Sequence, residues 1–249
     1  MKKLLGLFIV SFYLSILAIG IASAGDIKAD IAGYWPLDGN VKDQISGKEG
    51  KRVGGTNFVD GKKNKAVELD GTGYVQIDDF KLVTDNVAIT GWINGWKTTD
   101  WTGIIASRGT NPAWVGFGPS DTLTYVWNND SPNTYGWVGG APIAKDEWCF
   151  IAIAIAPDKA ISFTYTETDG PKSGENKLAH IEQTIDKLKF GWDECCGVDR
   201  HFKGIIDEVM IFKRALSVDE LTKLATTGLT LAVNYEGKLA TIWGEVKIK

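Results

Sequence analysis

The chain has 249 residues, with 27 Lys and Arg against 31 Asp and Glu, for a formal charge of −4. That acidic balance argues against nucleic acid or an anionic membrane as partner, because both select basic surfaces. The length suits one large all-β domain as readily as two small ones, and no Pro/Ser-rich linker or low-complexity run divides it.

The first segment, "MKKLLGLFIVSFYLSILAIGIASAG", carries two lysines, an apolar run and Ala22-Ser23-Ala24 before Gly25. Residues 1–24 are therefore expected to be a secretory signal peptide with an A-x-A cleavage site, which would place the mature protein outside the cell, in a periplasm or on a cell surface. The apolar run from Leu4 to Ile21 is long for a signal, so an uncleaved anchor is the competing expectation. No other stretch is long and apolar enough to span a bilayer.

From residue 25 onward, short alternating or apolar runs are separated by Gly, Asn, Asp and Lys clusters. They predict strands at 31–37, 65–70, 73–77, 87–93, 102–107, 113–118, 122–128, 148–156, 160–166, 185–191 and 203–213, the signature of an antiparallel sandwich. In "WCFIAIAIA", Cys149, Ile151, Ile153 and Ile155 fall on one face, while Trp148, Phe150, Ala152 and Ala154 fall on the other. The aliphatic side suits an inter-sheet core. The alanine side suits a face that another element covers, so the strand is expected to be central. One helix is well signalled: in "LSVDELTKLA", Ser217 and Glu220 form a capping box and Leu216 with Leu221 a hydrophobic staple. Residues 227–249 read as a C-terminal tail of two strands joined at Glu236-Gly237.

The strand at 203–213 poses a problem. Strict alternation puts Ile205, Asp207, Val209 and Ile211 on one face and Ile206, Glu208, Met210 and Phe212 on the other. Either face brings a carboxylate into the core, at a cost of several kcal/mol if it is unpaired. Asp207 therefore needs an arginine such as Arg214, backbone N–H groups, or a cation.

Three cysteines leave at least one without an intrachain partner. Cys149, beside three isoleucines, is expected to be a buried thiol. Cys195 and Cys196 could form a vicinal disulfide, one of them could pair with Cys149, or no bond forms. Ten tryptophans are a heavy load. Trp35, Trp92, Trp127 and Trp148 fall within strands and are assigned to packing. Trp96 and Trp101 in "NGWKTTDWTG", Tyr135 and Trp137 in "NNDSPNTYGW", and Trp192 beside Asp193 sit among polar residues. Such loops suit sugars: rings stack on a pyranose while amides and carboxylates take its hydroxyls. They could equally be lids over the open edges of a sandwich.

"AGYWPLDGNVKDQISGKEG", "NKAVELDGTGYVQID", "VAITGWI", "WCFIAIAIA" and "FKGIIDEVMIFKRALSVDEL" together resemble, in order, the motifs of bacterial laminin-G-like (LamG) domains of the concanavalin A-like lectin/glucanase superfamily. The resemblance implies a jelly-roll sandwich of two antiparallel sheets over residues 25–226, with one short C-terminal helix. It also implies a structural calcium ion between the N-terminal loop and the last long strand. The matching positions are Asp43 and Asp207, with carbonyls of residues 46–50 completing an oxygen shell.

Catalysis has no support in the motifs. Glu68-Leu69-Asp70 is the only E-x-D and lacks the second glutamate of the jelly-roll glucanases. "HFKG" is a superficial echo of a lyase run, and His180 and His201 stand outside any Q-x-H. The expectation is thus an exported, non-catalytic, calcium-stabilised module that binds a glycan or cell-surface ligand. The alternatives are an adhesive or structural domain with a protein partner and, less favoured, a hydrolase or lyase.

Overall fold

The computed structural model describes residues 27–109, 112–118, 120–127, 134, 137–195 and 197–229. The apolar N-terminal segment, Tyr135, Cys196 and the residues beyond 229 lie outside the described residues.

After a 3-10 turn at Ile27–Asp30 come β1 (Ile31–Trp35), β2 (Lys51–Val53), β3 (Thr56–Asp60), β4 (Lys65–Asp70) and β5 (Tyr74–Thr84). They are followed by β6 (Val87–Lys97), β7 (Gly103–Arg108), β8 (Pro112–Phe117), β9 (Leu123–Val126) and β10 (Cys149–Ala156). The rest are β11 (Lys159–Thr166), β12 (Gly170–Asn176), β13 (Gln183–Phe190), β14 (Trp192–Cys195), β15 (Val198–Phe212) and the helix α1 (Val218–Thr227). A nine-stranded sheet runs β12-β11-β10-β6-β15-β4-β3, with β1 and β14 also paired to β15; a six-stranded sheet runs β2-β5-β13-β7-β8-β9. The strand pairings are antiparallel, giving a two-sheet sandwich of the jelly-roll kind.

Cys149, Ile151, Ile153 and Ile155 enter the core between the sheets, beside Trp35, which meets Phe80 and Phe190 edge-on at 5.5 and 5.3 Å. Burial pushes the Cys149 thiol up to about 11, and it is free and inert. The opposite face of β10, with Phe150, Ala152 and Ala154, packs with Trp92, Met210 and Phe212 under Leu221 and Leu224 of α1. The alanines let the helix lie close to the sheet, and each buried leucine contributes about 1.5–3 kcal/mol. Ser217 Oγ accepts from Glu220 N while Glu220 Oε2 accepts from Ser217 N. Arg214 then ties Glu220 to Asp30, at 2.7 and 2.6 Å, and holds the Glu220 carboxyl down at about 2.

Strict alternation fails in β15. Asp207 faces Trp92, but the next registered pair on β6 is Met210 with Thr90, so a β-bulge takes up one extra residue. Glu208 adopts the left-handed region, at φ 50°. Phe202 and Ile206 enter the inter-sheet core before the bulge, and Val209 and Ile211 enter it after. Ile206 and Val209, expected on opposite faces, therefore share one. Strands β2, β3, β12 and β14 were not expected: KRV, TNFVD, GPKSGEN and WDEC lack an apolar alternation, and pairing with better-marked neighbours defines them.

Candidate ligand-binding face

On β13, Leu188 and Phe190 point into the core, so Lys189 between them points out of the six-stranded sheet. A cross-strand row runs Gln76–Lys189–Ala106–Trp114–Val126. Ala106, Trp114 and Val126 form a cluster separate from the inter-sheet core, on this outer face. Trp101 packs on them, meeting Trp114 edge-to-face at 6.4 Å and 85°. Its backbone is left-handed, φ 65°, a conformation costing a bulky residue roughly 1–3 kcal/mol.

At the other end of the row, Trp192 stacks on Tyr74 at 4.6 Å and lies near-parallel to His201 at 5.9 Å. The Lys189 ammonium sits 3.6 Å from the Trp192 ring centroid and 5.6 Å from that of Tyr74. Lys189 and Trp114 are two strands apart, about 10 Å, so this shelf and the Trp101 platform share one surface. Trp192 Nε1 and His201 Nδ1 are buried with no hydrogen-bond partner among the described residues.

Asp193 is 0 % exposed. Its carboxylate accepts from Arg108 Nε and Nη2 at 2.5 and 2.8 Å, and Arg200 Nη1 lies 3.6 Å away. A Cβ at residue 103 would fall 2.6 Å from the Asp193 Cβ, so glycine there lets β14 come down onto β7. Expected to take hydroxyls directly, Asp193 instead fixes two guanidinium groups.

Trp101 and Trp192 thus lie at two ends of one face, with Asp193 buried against β7, and the other predicted rings do not join them. Trp96 packs edge-on against Phe117 at 5.0 Å, with Lys145 5.6 Å from its ring, and Trp137 packs against Tyr125 at 5.7 Å. Both rest on the rim of the inter-sheet core as lids. Tyr135 and Cys196 are outside the described residues, and so is the vicinal pairing with Cys195. Sequence reasoning missed Lys189, Arg108, Tyr74 and Trp114. Only the position of Lys189 between two core residues could have signalled an outward cation.

The two proposed calcium ligands are engaged by donors. Asp43 is buried and accepts from Tyr34 N and Ile45 N on Oδ1, and from Ser46 N and Oγ on Oδ2. Asp207 accepts from Lys63 N at 2.9 Å and Glu208 N at 2.8 Å. Glu208 is buried; it accepts from Tyr34 Oη on both oxygens, with Lys63 Nζ at 3.8 Å. Among the described residues no three His, Cys, Asp or Glu side chains converge as a metal cage. Asp43 does not fit a calcium ligand in this arrangement. Asp207 with Glu208 fits better, because their negative charges repel each other and Asp38 adds to the field.

Two antiparallel sheets packed as a sandwich, with a short helix behind one of them, are the concanavalin A-like architecture. The chain belongs to the Laminin_G_3 family of the concanavalin A-like lectin/glucanases superfamily, whose model matches residues 69–222. No protein of curated function matches it. Among solved structures it is similar to domain 4 of AbnA, a GH43 extracellular arabinanase from Geobacillus stearothermophilus, in complex with arabinotriose. There the TM-score is 0.59 at 19% identity, covering 79% of this chain and 98% of that one. The binding domain of botulinum neurotoxin DC in complex with SialylT gives TM-score 0.53 at 14% identity, over 81% and 52% of the chains. That of serotype G gives 0.52 at 15%, over 78% and 50%. The chain spans about half of these toxin domains, and all three likenesses are likenesses of fold.

Proposed function

We propose that the protein is an exported, non-catalytic module that binds a carbohydrate on the outer face of the six-stranded sheet. The observation that carries this is Trp101, held in a left-handed backbone over Trp114, on the same sheet face as Lys189. Aromatic walls with a few immobilised polar groups are what a sugar site requires. Similar folds solved in complex with arabinotriose and with SialylT support the reading. The leader before Gly25 supports export, and no helix among the described residues is long and apolar enough to cross a membrane. Calcium at Asp207 belongs to the same proposal, as a stabiliser of the fold.

Isothermal titration against a panel of soluble polysaccharides tests it. Truncating an aromatic anchor costs about 2 kcal/mol or more, so Trp101→Ala is expected to weaken binding about thirtyfold. Wild-type affinity in the variant would remove Trp101 from the site. Release of reducing ends or unsaturated products from the panel would make the protein an enzyme.

A further inference from the structure

The charge on this face is uneven in a way that specifies the ligand further. Asp193 is shared between Arg108 and Arg200. Lys189 has no carboxylate within ion-pair distance among the described residues, and its close partners are the rings of Trp192 and Tyr74. Cation–π contact positions an ammonium without neutralising it. Asp193 and Glu194 reach Lys189 only through the field, as does Asp78, which is tied to Lys51. Arg108 and Arg200 are thus engaged by Asp193, whereas the Lys189 ammonium is held against rings rather than a carboxylate.

We infer that the sugar bound here is acidic, and that Lys189, fixed on the Trp192–Tyr74 shelf, receives its carboxylate while the Trp101–Trp114 end packs against a neighbouring ring. The inference rests on the glycan-binding reading and adds the ligand class. A hydroxyl would also accept from the ammonium, but a carboxylate adds the Coulomb attraction of an opposite charge to the hydrogen bond. Partial burial depresses the Lys189 pKa, so an arriving carboxylate restores a favourable environment for the charge.

Paired probes differing only in the acid group test this: trigalacturonate against its methyl ester, and sialyllactose against lactose, each titrated into the folded protein. The carboxylated member of at least one pair is expected to bind about tenfold tighter. That preference is expected to shrink on raising the salt. Lys189→Gln should collapse the acid-to-neutral ratio toward one, and Lys189→Arg should restore most of it. Equal affinity for both members of each pair, or a ratio unchanged in Lys189→Gln, overturns the inference and leaves a neutral-sugar site standing. Failure of all four probes and of the wider polysaccharide panel overturns both readings.

Discussion

Asp207 and Glu208 are adjacent carboxylates buried under the loop between β3 and β4. Desolvation is the largest cause lifting both, and each feels the other or Asp38 as a further repulsion. The hydrogen bonds from Lys63 N and Glu208 N oppose it, and Asp207 still settles at about 7. A carboxyl raised above its ordinary value of 3.8 binds its proton more tightly folded than unfolded. Its contribution is therefore greatest in acid, is lost as pH rises from about 4 to about 7, and levels off above. The slope is about 1.4 kcal/mol per pH unit at most. With chelator present, the melting temperature of Asp207→Asn minus that of the wild type should accordingly grow by several degrees between pH 5 and pH 7. A constant difference across that range would show that Asp207 is ionised throughout. The sequence raised the question of this acid but could not answer it, because alternation assumes one residue per register step and a bulge breaks that assumption.

Among elements, the β14–β15 hairpin has the most at stake in few contacts. Trp192 clamps it to β5, and Asp193 holds it to β7 through Arg108. Removing the carboxylate in Asp193→Ala leaves two half-buried guanidinium groups facing each other, which should cost about 3–5 kcal/mol in urea unfolding. A loss below about 1 kcal/mol would mean that the pair is solvated and adds little. Strands with an apolar alternation, such as β10, were legible down to which face meets the core and which face needs a cover. The capped helix was legible too. The hairpin was not, because WDEC has no pattern until Gly103 and Tyr74 receive it. For the same reason the site was half legible: Trp101, Trp192 and Asp193 stood out as aromatic and acid in polar loops. A single lysine between Leu188 and Phe190 looks like any solvated position, and only strand order brings it beside Ala106 and Trp114.

At the scale of the molecule, an ion bound only to the folded state stabilises it by about 2.7 kcal/mol at 100 times its dissociation constant. For a domain of this size that is roughly 5–10 °C in melting temperature. Chelation should produce that drop, and Asp207→Asn should remove the sensitivity. An unchanged curve on adding chelator to calcium-loaded protein would leave Asp207 to its N–H donors alone.

The pairing of β1 with the end of β15 has an architectural consequence. Lys213 N donates to the Asp30 carbonyl at 2.6 Å, and Arg214 grips the Asp30 side chain. The polypeptide thus enters and leaves the sandwich through one doorway, and α1 after it lies behind the nine-stranded sheet. Trp101 and Lys189 look out from the other side. Moored by either flank, the domain shows its aromatic and basic surface away from the tether, and it could be spliced into a host chain without turning that surface inward.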